Sequence, residues 1–221
     1  MNGDAFARDE RYARACLDGD GAHDFEHVRR VVTLARRIAR EEPSADMDVV
    51  ITAAILHDIG RPAQVKDPTL DHAQVGAGMA YEYLKSEGRT EQFCAHVRDC
   101  IRCHRYRTGD PPATIEAKIL FDADKLDVCG AMGIARTLIF AGKTDCPLYP
   151  VRDGKPVLFE SEGEDTFFTE YNQKLSRVGG VFFTEMGRRL AEKRADSARA
   201  FVEALRGEIL DACDEGAIDA V

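Results

Sequence analysis

Histidines and carboxylates that could hold a metal ion occur at three separate places in this chain. His27 precedes an apolar run by one turn, His57 and Asp58 stand side by side, and Asp124 follows much later. Neutral imidazole nitrogens combined with carboxylate oxygens are a ligand mixture that divalent metal ions accept. A lone histidine on an apolar face is usually a hydrogen-bonded core residue, so only the set as a whole favours a metal site.

Helices must bring these residues together, because the patterns around them are helical. Apolar residues over 27–40 recur at helical spacing, and a second helix runs from about Asp46 to the His57-Asp58 pair. The pair therefore lies at a helix C-terminus, where unpaired carbonyls favour a cation. Further helices are predicted over 72–86, 91–105 and 113–141.

The rest of the chain is predicted to be helical apart from one excursion. Residues 145–165 are rich in proline and contain an Asp153-Gly154 turn that could form a small hairpin on the surface. Helical patterning returns over 166–211. The chain shows no alternation of strands and helices of the kind that would imply a parallel sheet. The sequence thus predicts an all-α bundle of six to eight helices in a single domain over residues 1–221, with its core motifs at 23–140.

Composition excludes several classes of protein. A net charge of −9 argues against extended binding to nucleic acid, and no stretch reaches the roughly 18 apolar residues of a membrane span. The beginning of the chain has no export signal, so we expect a cytoplasmic protein. The seven cysteines are then expected to be free thiols, mostly buried. Oligomeric state stays open, and a homo-oligomer is compatible with the sequence.

The three blocks AHDFEHVRRV, AAILHDIGRP and ILFDADKLD resemble one known family. Their order, H…HD…D, is similar to that of the HD superfamily of metal-dependent phosphohydrolases. The resemblance implies an HD-domain helical bundle in which His27, His57, Asp58 and Asp124 bind a divalent ion such as Mn, Mg, Co, Ni, Fe or Zn. The chain also resembles the compact prokaryotic members of this superfamily, which include nucleoside-triphosphate pyrophosphohydrolases. Less specific motifs such as TEYNQKL extend this resemblance toward the C-terminus.

Two further histidines, His72 and His104, resemble the additional histidines of HD members that hold two metal ions bridged by the acid at Asp58. Two roles stay open for them: ligands of a second ion, or groups that hydrogen-bond a phosphate or donate a proton. His23 is expected to support the site rather than to bind the ion, and His96 to be structural. Asp122 is expected to face elsewhere than Asp124, as a solvated or supporting acid.

Cations near the ligands would be needed to recognise phosphate. The candidates are Arg61, Lys66, Arg105, Arg107 and Lys125. Each alone is more often a solvated surface charge, but Arg61 comes just after the helix of the His57-Asp58 pair and Lys125 stands beside Asp124. We therefore predict substrate binding by Arg61, Lys125 and Arg105, and count Asp58, His72, His104 and Lys125 as catalytic candidates.

A rival motif, Cys100-x-x-Cys103-His104, fits the pattern of covalent haem attachment. That attachment follows export, which the sequence does not indicate. Zinc binding by Cys94, His96, Cys100 and Cys103 is a second alternative. The sequence lacks a GxxxxGK[ST] loop and a GxSxG elbow, which disfavours a P-loop enzyme or a serine hydrolase.

The predicted function is metal-assisted hydrolysis of a phosphate ester or anhydride of a nucleotide or other small molecule. Two alternatives stay open. Some HD-like proteins activate oxygen at a di-iron centre, which the same kinds of ligand could hold. A nucleotide-binding sensor without catalysis is the other, although a pure binding module has no need of a reactive metal.

Overall fold

A computed structural model describes residues 3–17, 25–105 and 111–214, and this part of the chain is almost entirely helical. The prediction of an all-α fold is confirmed. The elements in chain order are α1 Gly3–Leu17, α2 Phe25–Ala39, α3 Met47–Leu56, α4 Arg61–Lys66, α5 His72–Ser86, α6 Glu91–Cys103, α7 Ile115–Asp127, α8 Gly130–Lys143, β1 Val151–Arg152, β2 Lys155–Pro156, α9 Phe167–Gln173, a 3₁₀ helix Leu175–Gly180 and α10 Glu185–Asp214.

Ten α-helices occur in the described residues, against the six to eight expected. Two of them, α1 and α4, occupy segments without a predicted helix, and Pro62 stands in the first turn of α4, where its missing N–H does no harm. The segment 113–141 forms two helices instead of one. The break falls at Gly130, where two features require glycine. Its φ is +68°, and a Cβ there would lie only 2.8 Å from the Cβ of Arg194.

The chain divides into two compact units. The first contains the described parts of Met1–Asp127 together with Phe182–Gly187. Its central helix is α3, which contacts α1, α2, α6 and α7 and buries every residue from Val49 to Leu56. A helix that is apolar all round belongs in the middle of a core. Asp46 caps its first turn by accepting hydrogen bonds from two backbone N–H groups.

The second unit contains Val128–Val181 and the described part of Arg188–Val221. The predicted hairpin is present: Asp153 and Gly154, both with positive φ, connect β1 and β2. Leu158, just after the hairpin, is buried with Phe167, Phe168 and other apolar side chains of this unit. Part of the excursion therefore contributes to a core. The prediction of a single domain over the whole chain stays a prediction.

Within the described residues, no helix combines the length and the hydropathy that a membrane span requires.

Candidate metal centre

Three helices of the first unit bring one predicted ligand set together. His27 lies in the first turn of α2, His57 follows the last residue of α3, and Asp124 lies in the last turn of α7. One ligand atom of each lies within 4.8 Å of the others, and all three side chains are buried. We call these three residues the first triad.

A second triad consists of Asp58, His72 and His104, again buried and with ligand atoms within 4.8 Å of one another. His72 is the first residue of α5 and His104 follows the last residue of α6. Close packing of α5 against the turn after α3 helps to place His72. A Cβ on Gly60 would lie only 2.3 Å from the carbonyl oxygen of His72, so glycine permits this approach. All six histidine and aspartate candidates for metal binding thus converge.

Asp58 lies between the two triads. Its Oδ2 is 3.5 Å from His27 Nε2 and 3.6 Å from His57 Nε2. Its Oδ1 is 3.5 Å from His72 Nε2 and 3.7 Å from His104 Nε2. One carboxylate therefore presents one oxygen to each group of histidines, which is the arrangement needed to bridge two cations.

The four histidines of the centre share one orientation. In each ring Nδ1 donates a hydrogen bond to an oxygen, so Nε2 is left for the centre. The acceptors are Ala54 O for His57 at 2.8 Å, Ile101 O for His104 at 2.6 Å, Gln64 Oε1 for His72 at 2.8 Å and Asp127 Oδ2 for His27 at 2.8 Å.

Two of these acceptors are functional side chains that the sequence analysis missed. Asp127 stands three residues after Asp124 on α7, so a search for acids on the ligand's own helix face could have found it. Gln64 lies on α4, in a segment without a predicted helix, where no signal pointed to it.

Burial and charge work against each other at these residues. Burial alone would lower the pKa of His27, but Asp124, Asp127 and Asp58 raise it to about 10. Burial prevails at His57 and lowers its pKa to about 4. Burial also opposes ionisation of Asp58, yet its histidine neighbours and Arg61 hold its pKa well below the usual value. Burial likewise opposes ionisation of Asp124, but the neighbouring Lys125 and His27 hold its pKa well below the usual value, so the centre contains two carboxylates that stay ionised although buried.

Three of the predicted cations lie at or near this centre. Arg61 Nε donates to Asp58 Oδ1 at 3.0 Å, and Lys125 Nζ donates to Asp124 Oδ2 at 2.9 Å. Arg105 instead pairs with Asp71, the N-cap of α5, at 3.1 Å, and its positive charge helps to lower the pKa of His72. Lys66 is exposed at the end of α4. Arg107 and His23 lie outside the described residues.

The residues of the two triads fit a divalent metal ion. Within the described part of the chain, Asp58 Oδ2 and His72 Nε2 are buried without a hydrogen-bond partner. A buried polar atom left unsatisfied costs about 1–3 kcal/mol, and a bound cation would satisfy both atoms. His27 Nε2 and His57 Nε2 are also only 3.2 Å apart, a close pair of ring nitrogens that a shared cation would suit.

Asp122 belongs to neither triad, as expected, and of its two expected roles, a solvated or a supporting acid, the solvated one is wrong. Its side chain is fully buried and accepts hydrogen bonds from Phe183 N at 2.9 Å, Thr184 N at 2.7 Å and Thr184 Oγ1 at 2.6 Å. It holds the chain immediately before α10. His96 lies 3.2 Å from Glu116 Oε2 and belongs to neither triad.

The cysteines give no sign of a second kind of site. All seven are free thiols, as predicted, but only Cys94, Cys100 and Cys129 are fully buried, so the expectation of mostly buried thiols is wrong. Among the described residues, the alternative zinc set of Cys94, His96, Cys100 and Cys103 does not form a group with metal-ligand spacing. His104 of the haem-like motif belongs to the second triad.

Comparison with known proteins agrees with this geometry. The family model of the HD domain, which describes its characteristic sequence, matches residues 24–129 of this chain. The Bacillus subtilis protein YpgQ is 32% identical over 196 residues, which cover 87% of each chain. A predicted HD superfamily hydrolase from an uncultured Thermotogales bacterium is 30% identical, with 91% of each chain covered and a TM-score of 0.65. The crystal structure of YpgQ in complex with ADP is 28% identical, with coverage of 92% and 97% and a TM-score of 0.72. The chain therefore belongs to the HD-domain superfamily.

Proposed function

We propose that this protein is a metal-dependent phosphohydrolase that cleaves a phosphate ester or anhydride of a nucleotide or another small molecule. The observation that carries the proposal is the pair of buried triads joined by Asp58. Relatives that are HD superfamily hydrolases support a hydrolase of this general kind. The complex of YpgQ with ADP supports a nucleotide as the substrate.

Each triad, with Asp58 shared, would hold one divalent ion. His27, His57, Asp58 and Asp124 form the first subsite, and Asp58, His72 and His104 form the second. A divalent ion bound there would lower the pKa of a water molecule and polarise a phosphoryl oxygen.

The protein's own cations would bind and orient the phosphate. Arg61 and Lys125 hold ligand carboxylates, yet their side chains are 26% and 24% exposed, so they can also reach a bound anion. Charge that develops on phosphoryl oxygens is stabilised by such fixed donors, since they need no reorganisation during the reaction. Arg105, anchored on Asp71, adds positive charge beside His72.

His72 suits the ligand role better than that of proton donor. Burial and the charge of Arg61 lower its pKa to about 3, so its imidazole is neutral near pH 7. A neutral imidazole whose Nδ1 is already used by Gln64 offers Nε2 as a lone-pair donor. This observation favours the two-ion form of the site.

The proposal is tested by metal analysis of the purified protein, followed by phosphate and pyrophosphate release from a panel of nucleotides with Mn, Mg, Co and Ni. We expect bound metal and release from one nucleotide class. Full occupancy by two irons without release would replace the proposal with a di-iron oxygenase. Nucleotide binding without turnover under any metal would replace it with a sensor.

A matched pair of variants in and just after α6 separates the site from the scaffold. His104→Gln, at the C-cap of α6, removes a ligand of the second subsite, whereas His96→Gln changes a histidine within α6 that belongs to neither triad. We expect the His104 variant to lose at least one bound ion and most of its hydrolysis. The His96 variant should keep its metal content and its hydrolysis at the wild-type level. Equal loss in the two variants would contradict the site assignment.

A further inference from the structure

The supports behind the four histidines are chemically unequal. His27 Nδ1 donates to a carboxylate, Asp127, whereas the acceptors behind the other three rings are neutral oxygens of Ala54, Ile101 and Gln64. Asp127 is only 1% exposed, so solvent does not screen its charge. The first subsite therefore has an ionic support that the second subsite lacks.

Arg30 holds this carboxylate in place. Its Nε donates to Asp127 Oδ1 at 2.7 Å and its Nη2 donates to Asp127 Oδ2 at 3.0 Å. A bidentate guanidinium fixes the plane of a carboxylate and compensates its burial. Because Arg30 and His27 are three residues apart on α2, one helix holds both the ligand and the clamp of its support.

A carboxylate behind a ligand histidine changes the metal affinity. It fixes the ring, selects the tautomer and makes Nε2 a stronger donor, whereas an amide oxygen fixes the ring without adding charge. In the second subsite, Arg61 Nε donates at 3.0 Å to Asp58 Oδ1, the oxygen that faces His72 and His104. A cation that binds there must share this oxygen with a positive group.

We infer that the first subsite holds its metal ion more tightly than the second, and that Asp127, clamped by Arg30, is a positioning residue that contributes to this difference beyond the additional ligand of the first subsite. This inference rests on the proposed function. It gives the two ions different roles: one that stays with the protein, and one that exchanges and is retained best when an anionic substrate offsets the charge of Arg61.

The test is a Mn²⁺ titration of the full chain after treatment with EDTA, with free Mn²⁺ measured by electron paramagnetic resonance. This readout does not depend on activity. We expect two binding steps of different affinity in the wild-type protein. His104→Gln identifies them, because it should remove the weak step and leave the tight one.

Asp127→Asn is the decisive variant. It keeps the size of the side chain and an oxygen for His27 Nδ1, but it removes the charge. We expect the tight step to weaken by about 10–100-fold, as is typical when such a support is changed, while the weak step stays within about twofold. An unchanged tight step, or equal weakening of both steps, would overturn the inference.

Gln64→Glu provides the reciprocal test and does not depend on whether Asp127→Asn folds. It places a carboxylate behind His72, so the weak step should become tighter while the tight step stays constant. No tightening would contradict the role assigned to charge. A wild-type protein that holds no Mn²⁺ would overturn the inference and the proposed function together, whereas two unequal steps without hydrolysis would leave the inference standing and remove the function.

Discussion

The two compact units bury different kinds of side chain. In the first unit, the described residues that are buried and polar are Asp9, His27, Thr52, His57, Asp58, His72, His104, Glu116, Asp122, Asp124, Asp127 and Thr184. In the described part of the second unit, Thr166 is the corresponding residue. Its core is apolar and aromatic, with Phe167 packed edge-to-face on Phe168 at 5.3 Å between ring centroids.

This difference separates chemistry from stability. Burying carboxylates and imidazoles is unfavourable in free energy unless they are paired, so a cluster of them indicates a function that compensates for this desolvation. Apolar burial is favourable without any partner of defined chemistry. Substitutions of the triad residues of the first unit should therefore affect metal binding out of proportion to folding, and substitutions in the apolar core of the second unit should do the reverse.

The largest effect is expected from Asp58→Ala. This change removes the carboxylate that faces both triads, so metal retention and hydrolysis should both fall to background while the helical circular dichroism signal is largely kept. Metal analysis and nucleotide hydrolysis measure the outcome. Activity at the wild-type level in this variant would sink the site assignment.

Phe167→Ala should show the opposite pattern. A buried phenylalanine cut back to alanine lowers the free energy of unfolding by about 3–5 kcal/mol, because transfer energy is lost and a cavity remains. Urea unfolding measures this change, and metal content at low temperature should stay at the wild-type value. Ile139→Ala, at a side chain that is 62% exposed, is the control and should stay within about 0.5 kcal/mol.

Asp122→Ala sharpens the comparison within a single helix. It leaves buried donors at Thr184 without their acceptor, so we expect a loss of about 1–3 kcal/mol in unfolding free energy without a change in metal affinity. Asp124→Asn, two residues further along α7, should weaken metal binding instead. Metal loss in the Asp122 variant with stability unchanged would reverse the two assignments.

The most gradual effect, about 1 kcal/mol for each pH unit, concerns the pH dependence of the metal-free protein. Because the pKa of His27 is raised to about 10 from 6.5, its contribution to stability is fully present below about pH 6.5 and is lost as pH rises toward 10. Unfolding free energy should therefore fall by about 1 kcal/mol per pH unit between pH 7 and pH 9. Urea unfolding across this range checks the slope, which should be absent in His27→Gln; an identical slope in that variant would exclude His27 as its source.

Local patterns were sufficient to predict most of the helices and the four central candidates. Apolar periodicity indicated α2, α3, α5 and α6, and the adjacent pair His57-Asp58 after a buried helix marked where polar groups meet the core. The division between α7 and α8 escaped prediction, because it depends on how closely the backbone at Gly130 approaches Arg194, sixty-odd residues later.

The roles of the supporting residues could not be derived from the sequence, although the helix face of Asp124 already made Asp127 a candidate. Asp122 and Asp127 flank Asp124 on one helix, and their residue type does not distinguish their roles. Their hydrogen-bond partners distinguish them. Thr184 donates its backbone N–H and its hydroxyl to Asp122, whereas His27 and Arg30 donate to Asp127. These partners lie from 62 to 100 residues away in the chain.

The sequence by itself thus determined the family, the helical class and the identity of the ligand candidates, because these depend on residue type and short-range spacing. Only the tertiary structure decided that Asp58 presents one oxygen to each group of histidines. It also decided that Asp127 supports His27 while Gln64 supports His72. The physical reason is that hydrogen-bond direction and charge compensation depend on distances between side chains from different helices, and local sequence does not encode those distances.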